Sequence, residues 1–188
     1  MNIFKRTLDR TYRVADEIAK SIGLDRFGVG RTILRDHRKW KTGELEITST
    51  WAAAIQPSFE NESFLLFIQT GEQKAGTAAD WPSVSLLNAT VETSSKQLIS
   101  LHRLDSPVKT VWPDQAFAAI PWASNDWHLT LDGTSYTFIL ESMPFIGSLI
   151  FANPENPALK RISRFLQEAA AESREHGILI PSKSQDFA

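Results

Sequence analysis

The spacing of apolar residues divides the chain into a helical start, a long β-rich middle and a helical close. From Ile3 to Ile22, Phe4, Leu8, Tyr12, Ala15, Ala19 and Ile22 recur at helical spacing, Arg6, Arg10, Arg13, Glu17 and Lys20 lie opposite, and Gly23 follows as a terminator. That pattern predicts an amphipathic helix. After the Gly28-Val29-Gly30 turn, the stretch Arg31 to Arg38 is read as a second, shorter helix that ends before Thr42-Gly43.

From Gly43 to Ala152 the texture changes to short runs rich in Thr, Val, Ile, Phe and Trp, punctuated by Pro, Gly, Asn and Asp. Glu44-Leu45-Glu46-Ile47-Thr48 alternates, as a strand with one wet face does. Phe64-Leu65-Leu66-Phe67-Ile68 is apolar throughout and must be covered on both sides. Further strands are expected over 51–56, 83–92, 96–104, 108–112, 116–120 and 146–152. Asp132-Gly133 predicts a two-residue hairpin turn that pairs Leu131 with Thr134, Leu129 with Tyr136 and Trp127 with Phe138. Asn153-Pro154-Glu155-Asn156-Pro157 then leads into a helix from about Ala158 to His176, whose stripe is Leu159, Ile162, Phe165, Leu166 and Ala169, with Gly177 as its cap.

These elements make an α+β fold: an antiparallel sheet of about eight strands, curled into a small barrel or sandwich, with the helices packed on it. Strands closed by a terminal helix is also the element order of pleckstrin-homology-like barrels, an analogy of order alone. The expected organisation is a basic helical arm over 1–42, a β-rich domain with its closing helix over 43–180, and a loose tail over 181–188.

Composition narrows the classes. The chain has 188 residues, 42% hydrophobic and 22% charged, which suits a folded domain. It contains no cysteine, which excludes disulfides, thiolate metal sites and cysteine nucleophiles. The start runs straight into mixed charge, and the longest apolar zone, Met143 to Ala152, is broken by Pro144, Gly147 and Ser148. The expectation is therefore a soluble, cytoplasmic protein without transmembrane insertion.

The net charge of −2 conceals a separation. Residues 1–41 carry eleven basic against five acidic side chains, and residues 42–153 carry four against twelve. Arg6, Arg10 and Arg13, and again Arg31, Arg35 and Arg38, share the spacing i, i+4, i+7, one face of a helix. The six are candidates for contact with an anionic partner, either nucleic acid or an anionic membrane surface. The competing reading folds the basic arm back on the acidic body.

Motifs for chemistry are absent. Gly23 to Gly30 has Val29 where a phosphate loop needs lysine, and Gly28, Val29 and Gly30 read first as a simple interhelix turn, with a generic anion cradle as the alternative. His37, His102, His128 and His176 show no metal spacing, and His102 with Asp105 is a close His/Asp pair on a predicted strand and its exit. Gly147-Ser148 is a weak echo of a nucleophile elbow, and Glu44 with Glu46 share one face of a strand. No cofactor is expected. Six tryptophans stand out, and three of them, Trp81, Trp112 and Trp122, adjoin proline at loop or strand ends, where indoles either plug the ends of a barrel or contact partners. The leading expectation is thus a non-catalytic protein-interaction or regulatory module with Trp-bearing loops, and another protein is its expected partner. The arginine surface is the alternative, an enzyme with a motif-free site is the third reading, and homo-oligomerisation is left open.

Overall fold

A computed structural model describes residues 3–36, 41–71, 81–105, 107, 133–142 and 145–181. The elements run α1 (Ile3–Ser21), β1 (Gly30–Asp36), β2 (Lys41–Pro57), β3 (Glu62–Thr70), β4 (Val84–Val91), β5 (Leu98–Asp105), β6 (Thr134–Ser142), β7 (Phe145–Ala152), α2 (Pro157–His176) and β8 (Ile178–Leu179). The eight strands form one antiparallel sheet in the order β7-β6-β2-β3-β4-β5-β8, with β1 paired to β2 beside that path. The predicted strands at 108–112, 116–120 and 127–131 lie outside the described residues, as do Trp40, Trp112, Trp122, Arg38, His37, His128 and positions 182–188 of the tail.

Among the described residues the sheet is open and is not closed into the expected barrel. Helices cover both faces and remove the need for closure. On one face Val14, Ile18 and Ala19 of α1 pack on Leu45, Ile47, Ala54, Phe64, Leu66, Ile68 and Leu87. On the other, Leu159, Ile162, Leu166, Ala169 and Ala170 of α2 pack on Trp51, Ala53, Leu65, Phe67, Leu86 and Phe138. The uninterrupted apolar run of β3 supplies side chains to both layers, as its lack of alternation requires.

The centre of the molecule is β2, one 17-residue strand where the sequence pattern suggested two. Pairing with β3 steps from Ile47–Thr70 to Ser49–Gln69, so Thr48 is an extra residue in a bulge. Before it the odd positions Leu45 and Ile47 face α1, and after it the odd positions Trp51, Ala53 and Ile55 face α2. One inserted residue thus exchanges the faces of the strand.

Two sequence expectations fail. The second arginine stretch is not a helix: residues 30–36 are β1, antiparallel to β2 with Arg31 opposite Glu46 and Ile33 opposite Glu44. The Asp132-Gly133 hairpin is excluded because both edges of β6 are occupied. Ser135 pairs with Gln56 on one side and Ala152 on the other.

The segment joining α1 to β1 is tied down by side chains. Gly23, at φ +92°, accepts from Arg35 N–H at 2.8 Å, while the Asp25 carboxylate accepts from Ile33 N–H at 2.9 Å and from the Thr32 hydroxyl. These contacts cover the outer edge of β1. At the other end of the chain, Asn156 caps α2 by accepting from Ala158 N–H at 2.8 Å, with Pro157 at the first helical position.

Candidate functional site

The five candidate arginines within the described residues do not share a surface. In α1 the buried stripe is Thr11, Val14, Ala15, Ile18 and Ala19, which brings Arg10 to the margin of the core while Arg6 and Arg13 stay exposed. Arg10 Nη2 donates to Glu62 Oε2 at 2.6 Å and the guanidinium lies 5.1 Å from the centre of the Phe64 ring. Lys96 Nζ donates to the other oxygen of Glu62 at 2.8 Å. Burial pushes the Glu62 carboxyl up, but the hydrogen bonds and charges of Arg10 and Lys96 outweigh it and hold the group below the usual range.

Arg31 and Arg35 are exposed on the face of β1 opposite to the one that packs toward α1, where Leu34 sits. Arg31 lies 3.8 Å from Glu44. The two arginine groups therefore point to opposite sides of the sheet, one member is neutralised internally, and Arg38 lies outside the described residues.

The anion cradle of Gly28 to Gly30 meets a carboxylate from within the protein. Val29 N–H donates to Glu141 Oε2 at 3.3 Å. Burial raises the Tyr12 hydroxyl above its ordinary pKa, and the charge and hydrogen bond of the same Glu141 raise it further. Trp81 is at a loop position as expected, but only 9% of it is exposed, and the Arg103 guanidinium covers its ring at 4.1 Å. Among the three tryptophan candidates it is the one within the described residues, and its indole faces the core.

The close His/Asp pair is split by the sheet. Asp105 faces the α1 side, where it accepts from Arg103 Nε at 2.8 Å and from the Ser85 hydroxyl at 3.0 Å. His102 faces α2, on the same side as Leu104. Glu44 and Glu46 do share an exposed face, beside Arg31. His176 and Ser148 are exposed. Among the described residues no group of three His, Asp or Glu side chains is placed to hold a metal ion.

What the fold does build is a cavity of about 450 Å³ on the α2 face, at the end of the sheet where β2 turns into β3. Ile55 and Ser63 form its floor, Thr134 at the start of β6 one side, Gln167, Ala170 and Arg174 the helix wall, and Ser58 to Asn61 the outer lip. The lip is held at its ends. Ser58 donates from its N–H and its hydroxyl to Gly133 O at 3.1 and 2.8 Å, and the Thr93 hydroxyl donates to Glu60 O. Between these anchors the Phe59 side chain stands 82% exposed.

Gln167 Nε2 donates to the Tyr136 hydroxyl at 2.7 Å, and Tyr136 titrates above its ordinary value because burial outweighs that bond and one from Thr134. Arg174 reaches from the last turn of the helix to donate to Ser63 Oγ at 3.1 Å, and no carboxylate lies within ion-pair distance of it among the described residues.

Under the same helix end a polar strip crosses the sheet. Ser63, Thr90 and Ser100 are register partners on β3, β4 and β5, and Asn88 with His102 forms the next row. Asn88 Nδ2 donates to Ala170 O at 3.1 Å. Thr90 Oγ1, Asn88 Oδ1 and His102 Nδ1 are buried with no hydrogen-bond partner. Buried polar atoms are ordinarily satisfied, so this strip is the least settled part of the interior, and it borders the cavity at Ser63 and Ala170.

None of the cavity residues is a site candidate in the sequence, where Gly133 and Thr134 figure only in a turn. Arg174 and Phe59 lie far apart in the chain, and only the fold brings them together. No helix among the described residues is long and apolar enough to cross a membrane. Comparisons with models of known families, with curated proteins and with solved structures return no match.

Proposed function

We propose that this chain is a non-catalytic binding module whose recognition surface is the α2-face cavity rather than the tryptophan loops or a six-arginine face. The observation that carries the reading is the lining of that cavity: one guanidinium, one carboxylate, two carboxamides, several hydroxyls and an exposed phenyl ring converge on about 450 Å³. A few placed polar groups beside apolar contact area is the composition of a recognition site. Catalysis finds less support, since the lining holds no nucleophile hydrogen-bonded to a base. The anchored lip favours binding further, because a preformed loop loses little conformational entropy when it meets a ligand.

A random-peptide phage selection on the whole chain tests the reading. The enriched peptides are expected to lose binding to the Phe59→Ala and Asn61→Ala variants, both altered at exposed positions, and to keep it with Arg6→Glu and Arg13→Glu on the outer face of α1. A selection whose binders ignore the cavity changes, or that enriches none, overturns the reading.

A further inference from the structure

The charges at the cavity narrow what it takes, and resting on the reading above, we infer that its ligand is a peptide segment bearing a carboxylate beside an apolar group. Arg174 is the anchor. Its guanidinium has five N–H donors, and the protein contact made by them is the single hydrogen bond to Ser63 Oγ, with no carboxylate in reach among the described residues. A last-turn cation can serve its own helix end, yet this one extends across to the sheet and stops at the cavity floor.

Ser63 accepts that bond, which leaves its own O–H to donate to the same incoming oxygen. An oxyanion seated there meets a charge-assisted donor and a neutral donor from opposite walls.

Glu60 on the lip argues for the class of anion. That carboxylate repels any incoming anion, a phosphate dianion about twice as strongly as the single charge of a peptide carboxylate. A peptide carries a single negative charge at each acidic group and brings backbone N–H donors that Glu60 can accept. Phe59, Ile55 and Ala170 offer the apolar contact that a neighbouring side chain needs.

The test compares N-acetyl-phenylalanine with N-acetyl-phenylalaninamide and with phenyl phosphate, titrated into the isotope-labelled protein and followed by backbone amide shifts. The acid carries the carboxylate, one N–H donor and one ring. It is expected to shift residues 58–63, 133, 134, 167, 170 and 174, and to bind about tenfold or more tightly than the amide, the scale of a hydrogen bond to a charged group. Arg174→Gln is expected to bring acid and amide to the same affinity, and Arg174→Lys to restore part of the preference, with thermal unfolding confirming that both variants fold.

Equal affinity of acid and amide in the unaltered protein, both mapping to the cavity, overturns the inference and leaves the binding reading standing. Tighter binding of phenyl phosphate overturns it in favour of a phosphate ligand. Absence of any shift at the cavity overturns it too, and the peptide selection then decides the broader reading independently.

Discussion

Glu62 offers the most direct test of how the first helix is held. Its side chain is 5% exposed and lies between Arg10 of α1, 18% exposed, and Lys96 of the β4–β5 turn, 30% exposed. Replacing it by glutamine keeps the shape and removes the charge that both cations face. A hydrogen bond to a charged group contributes roughly 1.5–3 kcal/mol. Both cations can turn partly to water once released, and the glutamine oxygen can still accept from one of them, so about 2–3 kcal/mol is expected for the pair of bonds. For a chain of this size that corresponds to roughly 5–10 °C in the unfolding midpoint.

The pH dependence supplies a second reading of the same group. Glu62 has its pKa lowered in the folded state, so its contribution is present above the unfolded value and is lost as pH falls through the folded one. The gap between Glu62→Gln and the unaltered protein in urea unfolding, followed by tryptophan fluorescence, is therefore full at neutral pH and closes from about pH 5 downward. A variant within about 0.5 kcal/mol of the parent at neutral pH refutes the argument, since that is the scatter of ordinary surface changes. A gap that does not shrink on acidification refutes it as well.

Trp51→Ala removes an indole that is fully buried, stacked on Phe67 at 5.3 Å and edge-on to Phe165 at 5.6 Å; a loss of about 3–5 kcal/mol is expected by chemical denaturation. Because Trp51 touches α2 through Phe165, near-ultraviolet circular dichroism of that variant is expected to collapse before the helical signal does. Gly23→Ala places a Cβ 2.6 Å from the Arg35 carbonyl oxygen at a backbone φ of +92°, and a destabilisation above about 1 kcal/mol is expected, with hydrogen exchange speeding first in β1. An unchanged exchange pattern in β1 would show that the Gly23 contact does not hold the strand.

The parts of the fold legible in the sequence are those whose pattern has one period. Both helices fall within a residue or two of the spans that helical spacing suggests, and the unbroken Phe64 to Ile68 run correctly demands cover on two sides. The failures have a shared cause. A spacing of four residues satisfies the period of a helix face and, being even, that of a strand face, so Arg31 and Arg35 lie together in either element. Only the odd step to Arg38 separates the two, and the β-branched Thr32 and Ile33 between them were the better guide.

Likewise the bulge at Thr48 reverses the alternation within β2, and a phase reversal reads as a gap between two strands. Asp132-Gly133 is a sound local turn signal, but β6 is held by β2, far back in the chain, on one edge and by its own successor β7 on the other. The cavity has no linear signature, since its walls come from residues 55–63, 133–134 and 167–174.

The strand at the centre of the sheet also sets the order in which the protein can be completed. One edge of β2 is closed by β3, its immediate successor, whereas the other waits for β6, whose Ser135 reaches Gln56 across 79 positions of chain. Until that late arrival, the Trp51-Ala-Ala-Ala-Ile55 ribbon presents an unpaired hydrophobic border. So high a contact order implies slow folding, roughly milliseconds to seconds, and a nascent or refolding chain that is most prone to self-association at this border before β6 docks.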